Sequence, residues 1–337
     1  MITNRRHLFS LAAVSAGAAM MPAHASAQTA SSVVPEKSPR VKLNNGAQMP
    51  LLGIGTFNVP TFQAADTVSF ALRNGYRLVD TATNYGNEKE VGEGIARSGV
   101  PRNELFITTK LWIEDFGEEA ALRGLDASLK KLGLRYIDLY LLHWPVPTDF
   151  EKTIAAYKAL EAAQADGRIR ALGISNFHPE HRGALMKEAK VAPAVNQIEF
   201  HPYLVQTDVQ AESARHDIVT EAWSPIGGSF TNRPKDPAKP IRVLEDAAVI
   251  GLARKYRKTP AQIVLRWHTQ RGRVAIPKSV HYERILSNID LFDFEMTGAE
   301  LSMIDGLNRG ERGGPDPKTF DVAAFRRIVE HRKQNPL

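Results

Sequence analysis

The chain has 337 residues, 43% of them hydrophobic and 24% charged, with a formal net charge of +6. These values suit a globular chain long enough to bury its own core without disulfide or metal staples. The absence of cysteine excludes thiolate catalysis and cysteine-ligated metal. The modest positive excess, part of it in Arg326, Arg327, Arg332 and Lys333, forms no stripe that would point to nucleic acid.

Residues 1–27 are expected to be an export signal. Arg5 and Arg6 precede an apolar run from Leu8 to Met21, and small-residue cleavage sites follow at Ala23-His24-Ala25 and Ala25-Ser26-Ala27. The paired arginines indicate the twin-arginine (Tat) translocon as a transient partner and the periplasm as destination. The alternative is an uncleaved extension on a cytoplasmic protein. The apolar run falls short of the ~20 residues that span a bilayer, so no stable membrane insertion is expected. Residues 28–40, polar and carrying Pro35 and Pro39, read as a flexible linker, and 41–337 as one domain.

Asn45-Gly46 marks a hairpin within Val41–Met49. Eight short β-type runs come next: Leu51–Gly55, Leu78–Ala82, Leu105–Lys110, Ile137–His143, Ala171–Asn176, Ala194–Phe200, Ile218–Ser224 and Val274–Lys278. Several are almost continuously apolar, as parallel strands buried on both faces are. Helix-period segments lie among them, including Phe62–Asn74, Gly117–Leu132, Phe150–Gly167, Asp246–Tyr256 and Thr259–Gln270. Eight strand-then-helix units predict an α/β fold, a (β/α)8 TIM barrel with the hairpin plugging its bottom. An open doubly wound sheet is the alternative.

Reactive side chains cluster where these strands end: Asp80 with Tyr85 in its loop, Lys110, His143-Trp144, Ser175-Asn176, Gln197, Trp223-Ser224 and Lys278-Ser279. In a barrel all these ends share one face, where active sites are built. A free tyrosine titrates near ~10, so a neighbouring ammonium, Lys110, is expected to lower the Tyr85 pKa, with Asp80 holding the lysine. His143 adds a polar group beside the reacting oxygen. This set suits protonation of an alkoxide as hydride reaches a carbonyl carbon, and hydride implies a nicotinamide. Gly53-Ile54-Gly55-Thr56-Phe57-Asn58 begins like a dinucleotide fingerprint but lacks its third glycine, so the cradle must lie elsewhere. Trp223 offers a flat face to the nicotinamide. Ser175, Asn176 and Gln197 offer carboxamide partners. The small-residue turn Ser224–Gly228, with Pro225 and Gly227, allows close approach of a pyrophosphate. Lys278, Ser279 and Arg284 suit a 2′-phosphate.

The segments DTATNYGNE, TTKLW, LLHWP, GISNF, NQIEFHP, AWSPIGG and IPKSV stand in the order seen in aldo-keto reductases, and from about Val41 to Pro317 the chain resembles that family. The nearest likeness is to prokaryotic 2,5-diketo-D-gluconate reductases. The resemblance implies a (β/α)8 barrel that binds NADPH (NADP+), with NADH as the alternative. It assigns Asp80, Tyr85, Lys110 and His143 as a catalytic tetrad with Tyr85 the general acid. Ser175, Asn176, Gln197 and Trp223 would then hold the nicotinamide, and Lys278, Ser279, Arg284 and Asn288 the adenosine 2′-phosphate end. Phe57, Trp112 and Trp144 would wall the substrate pocket. The implied substrates are small aldehydes and ketones of the methylglyoxal or keto-sugar-acid type, no metal is implied, and the protein would be a monomer.

Two departures stand out: Trp223 where many members have Tyr, and Ser287 where many have a Glu that touches adenine. The short loops after Lys110 and His143 predict an open pocket. Two other functions compete: a nicotinamide-binding regulatory or interaction protein on the same fold, and a barrel hydrolase using Asp80 and His143 with a metal.

Overall fold

In this computed structural model the described residues are 33–228 and 241–334, with side chains to residue 330. The expected signal at 1–27 lies outside the described residues, as do residues 28–32 of the expected linker. Residues 33–39 have no regular structure but are tied down. Arg77 donates from Nη2 to Val34 O at 2.8 Å, and Leu52 N donates to Ser38 Oγ at 3.0 Å.

Among the described residues ten strands follow in chain order: β1 (Arg40–Lys42), β2 (Gln48–Pro50), β3 (Gly53–Gly55), β4 (Leu78–Asp80), β5 (Phe106–Leu111), β6 (Ile137–Leu142), β7 (Ile169–Ser175), β8 (Val195–Glu199), β9 (Val219–Trp223) and β10 (Val274–Ala275). Strands β1 and β2 pair antiparallel, whereas β3 to β10 pair parallel with each neighbour in order. A parallel bridge between Leu52 and Ala275 joins the two ends and closes the barrel. The last predicted strand is cut short at Ala275. Pro277 has no N–H to give to a ladder, although its carbonyl still accepts from Gly55 N at 3.0 Å.

Close approach of neighbouring strands explains the first two glycines of the failed fingerprint. A Cβ on Gly53 would lie 2.4 Å from Leu78 Cγ, and one on Gly55 would lie 2.9 Å from Ile276 O. These glycines serve strand-to-strand approach, and the chain then turns through Asn58 at φ 56°.

The hairpin does plug the barrel's bottom. Leu43 and Met49 are buried and pack with Leu78, Phe106, Leu139, Ala171, Val195 and Val274 near the strand starts. Asn44 and Asn45 donate across to Pro193 O and Arg170 O, both at 3.0 Å. The turn is held by Leu43 N to Ala47 O at 2.8 Å, with Gly46 at φ 87°.

The helices are α1 (Thr61–Arg73), α2 (Glu88–Ser98), α3 (Glu118–Leu132), α4 (Phe150–Ala165), α5 (Pro179–Leu185), α6 (Thr207–Arg215), α7 (Ala247–Tyr256), α8 (Pro260–Gln270), α9 (Tyr282–Ile289), α10 (Gly298–Asp305) and α11 (Val322–Gln334). Helix α3 ends on Gly133 at φ 67°, the left-handed cap its sequence predicts. The shared core of sheet and helices includes Val68, Leu72, Val91, Leu125, Tyr157 and Leu160, all fully buried.

Candidate active site

The loop after β4 is shaped to present Tyr85. Asn87 is fully buried and donates to Thr56 O at 2.9 Å and Val59 O at 3.1 Å, while Thr81 Oγ1 donates to Asn87 Oδ1 at 3.2 Å. Residues Thr83–Tyr85 make one 3-10 turn that exits through Gly86 at φ 70°. The Tyr85 ring rests against Phe57, with centroids 5.0 Å apart.

Beneath it, all three donors of the Lys110 ammonium are taken. They go to Asp80 Oδ1 at 2.7 Å, Thr81 O at 2.9 Å and Tyr85 Oη at 3.1 Å. Tyr85 Oη therefore accepts from below, which leaves its own hydrogen to be given to a group in the pocket. Asp80 and Lys110 are both fully buried, so the attraction is weakly screened.

The expected lowering of the Tyr85 pKa does not prevail. Burial pushes it up to about 12, against the pull of Lys110. Burial also works against the charge on Lys110, but Asp80 and then Tyr85 outweigh it and raise its pKa above the usual lysine value. Burial raises Asp80 against the opposing pull of Lys110 and of the Gln197 amide. His143 is held well below its usual value, first by burial and then by Lys110, so its imidazole is neutral. Tyrosine thus holds its proton firmly at neutral pH, as an acid rather than a base.

One pocket gathers Phe57, Asp80, Tyr85, Trp112, His143, Trp144, Asn176, Gln197, Trp223, Ser224, Pro225 and Lys278. Lys110 lies behind this surface. Five other expected residues do not line the pocket either. Ser175 is buried, where its hydroxyl donates to Gln197 O at 2.9 Å and accepts from Asn176 Nδ2 at 3.1 Å, so it acts on the pocket through Asn176. Gly227, at φ 75°, stands behind its neighbour Gly228, which does line the pocket. Ser279 accepts from His281 N at 3.1 Å at the start of α9. Asn288 is buried on α9, and Arg284 is exposed.

These residues fit a nicotinamide dinucleotide. Asn176, at the left-handed φ of 66°, accepts from Trp223 Nε1 at 2.9 Å and so fixes the indole plane. Left-handed backbone is tolerated best by Gly and Asn. The exposed cations Lys278 and Arg284 have no ion-pair partner among the described residues, as a phosphate-binding end requires.

The pocket is less open than the short loops predict, because its rim is completed from the far end of the chain. Pro315, Phe320, Phe325 and Ile328 line it. The Phe320 ring lies 4.3 Å from Trp144 and that of Phe325 4.7 Å from Trp112, by centroids. Two buried polar atoms near the pocket have no partner among the described residues, Trp112 Nε1 and His143 Nδ1. Sequence reading missed this C-terminal wall, although the apolar pair Phe325 and Ile328, one helical turn apart, was a signal. It also missed Glu221, a carboxylate in an apolar strand two residues before Trp223 and so on the same face of it.

The profile of the aldo/keto reductase family matches residues 51–309. Morphine 6-dehydrogenase of Pseudomonas putida is 48% identical over 87% of this chain and 99% of its own length. Glyoxal reductase of Bacillus subtilis is 44% identical over 82% of this chain and 95% of its own. The Bombyx mori aldo-keto reductase, whose crystal structure is a complex with NADP, is 35% identical with a TM-score of 0.77, covering 87% of this chain and 97% of that one.

Proposed function

The chain belongs to the aldo/keto reductase family, and on that premise we propose that it reduces small aldehydes and ketones with NADPH, with Tyr85 as general acid. The carrying observation is the line Asp80–Lys110–Tyr85, in which every ammonium hydrogen is committed and the phenol hydrogen alone is left for the pocket. When bound, the nicotinamide supplies hydride to the carbonyl carbon. Trp223, Asn176 and Gln197 would hold it, with Lys278 and Arg284 at the adenosine phosphate. Neutral His143 would orient the carbonyl oxygen toward Tyr85 Oη.

Trp112 lines the same pocket with its ring 5.0 Å from that of His143, and its Nε1, without a partner among the described residues, would be a second donor there. A second oxygen beside the reacting carbonyl would meet it, which favours dicarbonyls and 2-keto acids of the methylglyoxal or keto-sugar-acid type. Glyoxal reductase as a relative supports the same class.

The test is a carbonyl panel assayed with NADPH and NADH in parallel, with alcohol oxidation by NADP+ run alongside. Methylglyoxal or a keto-sugar acid should drive NADPH oxidation, and absence of turnover on the whole panel would favour a nicotinamide-binding protein without catalysis. Substituting both Lys278→Ala and Arg284→Ala should raise the KM for NADPH by about 10-fold or more while leaving that for NADH within about 3-fold, because each lost charge-assisted contact is worth roughly 1.5–3 kcal/mol before solvent screening. Equal effects on the two cofactors would refute the phosphate assignment.

The C-terminal wall gives a separate expectation. Phe320→Ala opens the pocket beside Trp144, so KM for small substrates should rise several-fold, by about 1–3 kcal/mol of lost apolar contact at most, with kcat little changed. An unchanged KM across the panel would show that this segment does not contact substrate.

A further inference from the structure

Gln197 stands across the barrel from the tetrad. Its side-chain amide has two N–H donors, and both are used: one goes to Asp80 Oδ2 at 2.8 Å, the other to Glu221 Oε2 at 2.9 Å. Gln197 and Glu221 are register partners on β8 and β9, while Asp80 comes from β4, four strands away from β8 in the closed order. All three side chains are essentially fully buried. The chain Glu221–Gln197–Asp80–Lys110–Tyr85 is therefore continuous, and Gln197, Asp80 and Tyr85 in it line the pocket.

We propose that Glu221 is a positioning residue of this site, which fixes the Gln197 amide and through it the Asp80 carboxylate that holds Lys110 under Tyr85. The inference rests on the reductase reading above and adds a residue to it.

The protonation state of Glu221 follows from its surroundings. Its second oxygen, Oε1, is buried with no partner among the described residues. A carboxylate in that position would leave charge uncompensated, which costs far more than an unpaired neutral oxygen. The titratable groups facing it are Asp80 on β4, Lys110 on β5 and Tyr85 in the loop after β4. Strand β10 beside it offers only Val274 and Ala275. Burial, and after it the Asp80 charge, push the Glu221 pKa up to about 8. At neutral pH Glu221 is then a carboxylic acid, with its proton on Oε1 and Oε2 accepting from Gln197. On ionising, it places a second negative charge beside Asp80, and that charge is one of the causes that raise the Tyr85 pKa.

The sign of the stability effect is fixed by the same shift. The folded chain holds this proton more tightly than the unfolded chain, whose glutamate titrates near 4.5. The stabilisation is complete below about 4.5 and is lost as pH rises through about 8.

Glu221→Gln keeps the acceptor and cannot ionise, whereas Glu221→Ala removes both. Carbonyl reduction by wild type should decline with a midpoint near pH 8. Glu221→Gln should keep kcat within about 3-fold at neutral pH and move that midpoint up by about one unit or more, while Glu221→Ala should lower kcat by about 10-fold or more, as loss of positioning does. In parallel, thermal unfolding of the cofactor-free proteins from pH 5 to 9 should show a stability loss toward pH 8 in wild type that is missing in Glu221→Gln. An infrared carboxylic-acid band at neutral pH should also vanish in that variant. These last readouts involve no turnover, so a chain that proved to have no reductase activity would still report on Glu221. Identical pH profiles of activity and of stability in wild type and Glu221→Gln would overturn the proposal, as would equal kcat in the Gln and Ala variants. If Glu221→Ala does not fold, the Glu221→Gln profile decides.

Discussion

Tyr85→Phe should abolish carbonyl reduction while leaving the fold intact. A positioned general acid contributes roughly 10²- to 10⁴-fold, and the variant removes one oxygen and nothing else from the site. The phenyl ring remains to pack on Phe57, whose ring centroid lies 5.0 Å away. Lys110 keeps two of its three acceptors, Asp80 Oδ1 and Thr81 O. Thermal stability should therefore change little, and cofactor affinity, read by quenching of tryptophan fluorescence, should stay within about 3-fold because no phosphate contact is touched. The decisive measurement is single-turnover reduction by the variant with NADPH in excess. Undiminished turnover would remove Tyr85 from the mechanism, and so would a loss confined to KM.

Lys110→Met should damage both activity and stability, and the two losses should separate in a double variant. Methionine matches the length of the lysine stem but gives no donors. Asp80 would then be a buried carboxylate that keeps only the Gln197 amide as donor among the described residues, and Tyr85 Oη would lose the Lys110 ammonium that donates to it. Breaking a buried ion pair by removing one partner costs about 3–5 kcal/mol, which in a domain of this size is a fall of several degrees in Tm. Without the ammonium the Tyr85 pKa, already about 12, moves further from neutrality, so kcat should fall by about 10²-fold or more. Adding Asp80→Asn removes the stranded charge. It should restore most of the stability and none of the activity. Denaturant unfolding and steady-state kinetics on the three variants check both parts. A double variant as unstable as Lys110→Met alone would show that the charge pair is not what holds this region.

The barrel itself was largely visible in the chain. All eight predicted strands are present, because runs such as Ile137–Leu142 are buried on both faces and so are written in apolar residues throughout. Helix α2 was harder to see. It carries Gly92 and Gly94, which weaken a helical pattern. Yet a Cβ at either would lie 2.5 Å from Leu132 O or 2.6 Å from Ala65 O, so the packing of α2 on its neighbours selects glycine there. Such a requirement comes from a distant segment, and no local pattern encodes it. The same holds for Phe320 and Phe325, whose place in the pocket depends on the route the chain takes back across the barrel's mouth.

By itself the sequence determined the alternation of strand and helix, the hairpin at Asn45-Gly46 and the reactive groups at strand ends. These follow from residue type and spacing, which act locally. The tertiary structure decided what those groups are when they meet. The phenol is an acid pushed up to about 12 rather than one lowered by its lysine, because the partial burial that brings Lys110 within 3.1 Å also strips Tyr85 of part of its water. Glu221 belongs with Asp80 because a closed barrel sets β8 opposite β4, near enough for a single glutamine amide to span the gap. Desolvation and closure are properties of the whole fold, and neither can be read from one strand at a time.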